Sequence, residues 1–374
     1  MEKLNKREFI RKSTLCAGGL ICSGFLMKGH AATRIETAKG KKEAMFYSHT
    51  PRGVKCGICP NDCTLRPGEL SDCRNRINQD DKLYTLAYGN PCAVHIDPIE
   101  KKPLLHFYPE STIFSIATAG CNFGCLNCQN WEISQTSPEK TRNYDLMPEK
   151  VVELCQEKHC PSIAYTYSEP ISFYEYMYDT CILAHHQQIR NVMVSNGYIN
   201  REPLEKLAQY LDAANIDLKA FDDDIYLRLT AGQLQPVLDT LKILKDHKVW
   251  LEITNLIVPS WTDNFDMISR MCDWLMENGF SETPLHFSRF HPTYKLSQLP
   301  ETPVSTLIKA RNIAMSAGIN YVYIGNVPGK GFENTVCPHC HKVVVERRGY
   351  SLISNHISGG MCEYCHTTIN GIWN

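Results

Sequence analysis

The sequence predicts an α/β protein built on a partial or near-complete (β/α) TIM-type barrel across residues 111–330. Two observations carry this. Short apolar runs rich in β-branched residues alternate with longer amphipathic ones along this stretch. Such alternation specifies parallel strands joined by helical crossovers. The unusual polar residues also fall where the strand-like runs end, and those ends carry the reactive groups of such barrels.

Strands are expected at 111–118, 162–165, 191–195, 214–218, 249–256, 285–290 and 321–324. Helices expected between them include 148–157, 171–187, 234–246, 265–278 and 304–317. The first strand is followed by a cysteine triplet and the second by Thr166-Tyr-Ser-Glu169-Pro. The third ends in Ser195-Asn196-Gly197-Tyr198 and the fourth in Asn215-Ile-Asp217-Leu-Lys219. The fifth runs into Val258-Pro-Ser-Trp-Thr-Asp263, the sixth into Ser288-Arg289-Phe-His291, and the seventh into Gly325-Asn326. Each motif alone has an ordinary reading, such as a turn for Ser-Asn-Gly or a surface pair for Asp217 and Lys219. Seven polar strand ends facing one mouth are harder to assign to chance.

The triplet Cys121, Cys125 and Cys128 has the spacing C-x3-C-x2-C. Three thiolates can hold three corners of a [4Fe–4S] cube, leaving one iron open to a ligand that is not protein. Gly120 and Gly124 let the backbone turn there without a Cβ in the way. Spacing alone also permits a structural zinc loop.

Two further cysteine groups flank the barrel. Cys56, Cys59, Cys63 and Cys73 form C-x2-C-x3-C-x9-C in a cysteine-rich region, 51–110, that has little apolar surface to bury. This quartet is a candidate third metal site, for zinc or an auxiliary Fe–S cluster, with a structural metal favoured. Cys337, Cys340, Cys362 and Cys365 form two C-x2-C knuckles in the segment 331–374, a zinc-ribbon-like pattern. His341 and His366 follow the knuckles where ribbons often have Gly, so a histidine ligand stays open, as does a disulfide pair. Cys92, Cys155, Cys160, Cys181 and Cys272 read as buried small hydrophobes.

Several longer runs carry a family resemblance. They are Asp97-Pro-Ile-Glu-Lys-Lys-Pro-Leu-Leu-His-Phe-Tyr-Pro109, Cys128-Gln-Asn-Trp-Glu-Ile-Ser134, Tyr165-Thr-Tyr-Ser-Glu-Pro170, Asn215-Ile-Asp-Leu-Lys-Ala-Phe221, Trp250-Leu-Glu-Ile-Thr254 and His286-Phe-Ser-Arg-Phe290. From about residue 54 onward the chain resembles the radical S-adenosylmethionine (SAM) enzyme of the AmmeMemoRadiSam gene set. That family is related to the activating enzymes of glycyl radical enzymes such as pyruvate formate-lyase. The resemblance implies a [4Fe–4S] cluster on the triplet whose open iron binds SAM. It implies reductive cleavage to methionine and a 5′-deoxyadenosyl radical, and hydrogen abstraction from a substrate, with a glycine of a partner protein as one candidate.

Carried over by position, the resemblance places Glu169 against the SAM ammonium, and Ser195 and Asn196 near its ribose and methionine parts. Asp217 would organise the methionyl end, and Lys219 would face the SAM carboxylate. Two departures stand out. Asn127 replaces the aromatic residue that commonly precedes the third cysteine, and Val194 stands where activating enzymes often carry an Asp for a monovalent cation. Implied partners are a low-potential electron donor, a protein or peptide substrate, and the two other proteins of the gene set. Arg289, His291 and Lys295 could contact substrate; no catalytic acid or base is assigned. The rival reading is a metal-binding interaction protein with an inert barrel.

The 374 residues are 43% hydrophobic with a formal net charge of −1, enough for one large core and without the general basic footprint of a nucleic-acid binder. At the N-terminus, Asn5-Lys-Arg-Glu-Phe-Ile10 is close to a twin-arginine pattern, followed by an apolar run from Thr14 to Met27. Residues 1–32 therefore read as a signal peptide and 33–50 as a linker. Export or inner-membrane association conflicts with a chemistry whose cofactor and electron source are cytoplasmic, so localisation stays open.

Overall fold

The computed structural model describes residues 40–373. Its centre is an eight-stranded sheet in the order β14-β13-β12-β11-β10-β9-β8-β7. The strands are β7 (Ala93–Pro98), β8 (Thr112–Ala117), β9 (Ser162–Tyr165), β10 (Arg190–Ser195), β11 (Ala213–Asp217), β12 (Trp250–Ile257), β13 (Leu285–Arg289) and β14 (Val322–Gly325). The ladders from β8 to β14 are all parallel, whereas β7 runs antiparallel to β8. Strands such as β9, Ser162-Ile-Ala-Tyr165, are buried at every position because both faces of the sheet are covered.

The covering helices have recognisable ends. Pro148–Glu157 opens with proline in its first turn, where the missing N–H costs nothing. Phe265–Glu277 is capped by Asn264, whose side-chain oxygen accepts from Met267 N at 3.0 Å. Val304–Ala317 stops at Gly318, which takes a left-handed φ of 107°. No ladder joins β14 to β7, so the barrel is open.

Before the sheet, β1 (Gly40–Glu43), β5 (Arg76–Gln79) and β6 (Lys82–Tyr88) form one antiparallel sheet, and β2 (Tyr47–Thr50), β3 (Gly53–Cys56) and β4 (Thr64–Leu65) another. The expected linker is thus wrong over 40–50, which holds β1 and β2. Its polar composition suits edge strands held by backbone pairing, as in Ala44 N to Leu83 O at 2.8 Å, with side chains that meet polar partners, as in Lys82 Nζ to Glu43 at 3.1 Å. Arg76 ties this region to the barrel through a bidentate pair with Glu175, 2.9 Å on each arm and fully buried. The expected signal segment, 1–32, lies outside the described residues. Among those described, no helix is long and apolar enough to cross a membrane.

After the sheet, β15 (Thr335–Val336), β16 (Val343–Arg348) and β17 (Ser351–Asn355) form a meander, followed by the hairpin β18 (Ile357–Ser358) and β19 (Met361–Cys362). Cys337, Val344, Cys362 and Ile369 pack with Leu105, Tyr321 and Tyr323, so this segment is seated against the β14 side of the sheet. Buried Arg347 donates to Leu105 O at 2.6 Å and to Thr335 Oγ1 at 2.9 Å.

Candidate functional site

All seven parallel strands contribute to one cavity of about 790 Å³ at their C-terminal ends. The cysteine triplet enters after β8, Thr166 and Glu169 after β9, and Val194, Ser195 and Asn196 at β10. Asp217 and Lys219 come from β11, Thr254 and Leu256 from β12, His286 and Ser288 from β13, and Gly325 and Asn326 from β14. Every residue singled out for the cluster and for SAM therefore faces the same space.

Burial pushes the Cys121 thiol well above its usual range and the Cys125 thiol up to about 12, and it raises Cys128 as well. Left alone, these thiols stay protonated, and a bound metal would reverse that. Donors already face the sulfur of Cys121: Phe123 N at 3.3 Å and Asn196 Nδ2 at 3.9 Å.

Glu169 joins the second and third strand ends. Its Oε1 accepts from Ser195 Oγ at 2.7 Å and Ile171 N at 3.1 Å, and its Oε2 accepts from Asn196 N at 2.9 Å. Burial raises its carboxyl to about 7, with those three donors working against the rise. Beside it, Lys219 Nζ donates to Asp217 Oδ2 at 2.9 Å. Burial alone would lower this lysine, but the Asp217 carboxylate holds it protonated, above its ordinary range. The side-chain oxygen of Asn127 lines the cavity, buried and without a hydrogen-bond partner, as a site awaiting a ligand donor would leave it. The residues present thus fit a cluster and an aminoacyl cofactor.

Three residues offered as substrate contacts do not reach this space. Arg289 and His291 share Glu301, at 2.8 and 2.7 Å, and Lys295 lies over the Tyr294 ring. Satisfied locally, they stand outside the cavity lining.

The cavity also contains groups that received no role from sequence. Lys101 and Lys102 line it, and Asp97 behind them accepts from both, at 2.9 and 2.6 Å, and from the Tyr167 hydroxyl. Burial lowers Lys102 to about 8 despite Asp97. On the other side, His286 Nε2 is 2.6 Å from the fully buried Glu252, which also accepts from Leu105 N, His106 N and Trp250 Nε1. A glutamate in the middle of an apolar strand run was the available signal, because such a charge is buried only when paired.

The C-terminal cysteines converge. Their four sulfurs lie within 4.8 Å of one another, with Cys337 to Cys365 at 3.6 Å and Cys340 to Cys362 at 3.8 Å. The two knuckles match: His341 N returns to Cys337 O at 3.0 Å and His366 N to Cys362 O at 2.8 Å. Both histidines take φ near 60°, the left-handed turn for which Gly is usual, and the four-ligand group consists of the cysteines. All sixteen described cysteines are free thiols, so the disulfide alternative is not realised. Cys155, Cys160, Cys181 and Cys272 are buried as expected, whereas Cys92 is only partly so.

The Radical SAM superfamily model matches residues 115–275. Uncharacterized protein MJ0808 of Methanocaldococcus jannaschii is 46% identical over 332 residues, which are 88% of this chain and 99% of that one. Pyruvate formate-lyase 1-activating enzyme of Escherichia coli (strain K12) is 25% identical over 164 residues, 43% of this chain and 67% of that one. The solved structure of Streptococcus suis SuiB bound to S-adenosylmethionine aligns with a TM-score of 0.45 at 13% identity, over 61% of this chain and 53% of that one. The chain thus belongs to one family with the relative matched along nearly its whole length, and over the triplet and the strands after it carries a radical SAM domain homologous to the pyruvate formate-lyase activating enzymes.

Proposed function

We propose that this protein cleaves SAM reductively and uses the product to take a hydrogen atom from a protein or peptide substrate. The observation that carries the reading is the convergence of Cys121, Cys125 and Cys128 with the polar ends of all seven parallel strands on one cavity. A [4Fe–4S] cluster bound by the three thiolates would supply one electron to the C5′–sulfur bond of SAM, giving methionine and a 5′-deoxyadenosyl radical. The chain's own residues do the rest. Glu169 accepts from the SAM amine while fixing Ser195 and Asn196, Lys219 faces the SAM carboxylate with Asp217 holding its ammonium in place, and Asn127 offers its free oxygen to a ligand donor.

Support for a macromolecular substrate comes from the homology to an activating enzyme, and the other two proteins of the AmmeMemoRadiSam set are the partners to test first. The C-terminal quartet is proposed as a zinc site: four thiolates about 2.3 Å from one ion stand roughly 3.8 Å apart, matching the sulfur spacings found. The deciding experiment is anaerobic reconstitution with iron and sulfide, then incubation with SAM and a strong one-electron reductant. The wild type should release 5′-deoxyadenosine, and Cys125→Ala should release none while keeping the circular dichroism spectrum. Equal release by both proteins would sink the proposal.

A further inference from the structure

Four cysteines that the proposed reaction leaves unused meet at a second place in the molecule. Cys56 ends β3, Cys59 and Cys63 lie on the loop before β4, and Cys73 lies on the loop before β5. All four line one small cavity. The loop is folded to present them: Cys56 N donates to Cys63 O at 3.0 Å, and Asp62 N closes a turn onto Cys59 O at 3.1 Å.

This quartet differs from the C-terminal one in how its sulfurs stand. Among the described residues, only the C-terminal four gather within 4.8 Å of one another, as thiolates sharing a single ion must. The N-terminal four stand around a space instead, as the catalytic triplet stands around its own. Thiolates that each bind a different iron of a cube are held apart by the inorganic core between them. The cavity wall suits such a group. Arg76, 1% exposed, lines it as a fixed guanidinium whose charge the paired Glu175 offsets, and its N–H groups and the four thiols make the wall polar where a cube would sit.

The same wall belongs to the catalytic loop. Asn122, the residue after Cys121, lines the cavity, and Asn61 Nδ2 from the quartet's loop donates to Asn122 O at 2.8 Å. At Gly120 a Cβ would come within 2.5 Å of Cys73 O, so the two loops touch backbone to backbone.

We propose that Cys56, Cys59, Cys63 and Cys73 hold a second [4Fe–4S] cluster, packed directly behind the loop that carries the first. The test uses the full chain, loaded anaerobically with iron and sulfide, in three forms: wild type, the triple variant Cys121→Ala, Cys125→Ala, Cys128→Ala, and the double variant Cys59→Ser, Cys63→Ser. Wild type should hold about eight iron and eight sulfide per chain, and each variant about four, with the triple variant keeping a brown chromophore and an EPR signal on reduction. A triple variant without iron and sulfide, with zinc at about two per chain, would overturn the proposal and leave the SAM-cleavage reading standing. An iron count unchanged by the triple substitution would do the opposite. Should the double variant fail to fold, the triple variant, which leaves the quartet intact, still decides the matter.

Discussion

Replacing Glu169 by glutamine tests the geometry of the cavity more sharply than replacing it by alanine. Alanine would strand three buried donors, Ser195 Oγ, Ile171 N and Asn196 N, and mix a folding defect into any loss of affinity. Glutamine keeps the volume and one acceptor oxygen, so the bonds at 2.7 and 3.1 Å can survive. Its amide nitrogen then faces Asn196 N, 2.9 Å from the present oxygen, and the charge opposite the SAM amine is gone. One charge-assisted bond lost is about 1.5–3 kcal/mol, or roughly 10- to 150-fold in SAM affinity. The pH dependence supplies an independent signature. With the carboxyl at about 7, raised by burial, only about one carboxylate in eleven is ionised at pH 6. Deprotonation favours binding, so wild-type affinity should rise about tenfold from pH 6 to pH 8, a gain the glutamine variant lacks. Taking the ratio of the two proteins at each pH cancels the titration of SAM itself. Equilibrium dialysis of SAM against cluster-loaded protein without reductant measures both effects. A ratio that stays constant from pH 6 to pH 8, or an unchanged affinity at pH 8, would mean that Glu169 braces the strand ends and does not meet the cofactor.

Three other changes have definite expectations. Arg76→Met leaves Glu175 buried without its partner and should cost about 3–5 kcal/mol in denaturant unfolding, with most of the loss recovered in the double variant Arg76→Met, Glu175→Met; a single variant as stable as wild type would contradict the buried pair. Gly120→Ala puts a side chain at φ 95° and against Cys73 O and Asn75 Oδ1, both at 2.5 Å, so iron content and melting temperature should fall together. Cys340→Ser should remove zinc from the full chain and speed hydrogen exchange in β14, because Tyr323 packs with Cys337 and Cys362; unchanged exchange there would show that the segment folds without its metal.

Most of the barrel was legible because its strands and helices follow one period each. Ser162–Tyr165, Pro148–Glu157, Leu234–Asp246 and Val304–Ala317 begin and end where the apolar pattern does. Pattern reading failed where backbone pairing, not side-chain burial, makes the element. β7 carries an exposed Ile96 and ends in proline, and β1 and β2 are short, polar strands. Within the site, the cysteines, Glu169, Asp217 and Lys219 were visible because strand ends are where polar residues interrupt apolar runs. Glu252 and His286 were hidden inside such runs, and Lys102 preceded the first expected strand. Arg289, His291 and Lys295 show the converse error: sequence puts them at or beyond a strand end, but Glu301 and Tyr294 hold them away from the cavity.

The segments flanking the parallel strands bear on what the cavity admits. Glu100 to Pro103, ahead of β8, and Glu333, Gly349 and Tyr350, beyond β14, line the same space as the triplet. The open side of the barrel is therefore not a free entrance, because the segment carrying the C-terminal quartet contributes part of the wall. Loosening that segment should enlarge the space around Tyr350 and His286 without touching Cys121, Cys125 or Cys128. Loss of the zinc proposed for the knuckles, by Cys340→Ser, should then change SAM binding in equilibrium dialysis while the iron content of reconstituted protein stays at the wild-type level, a separation that a remote anchoring role for the quartet would not produce.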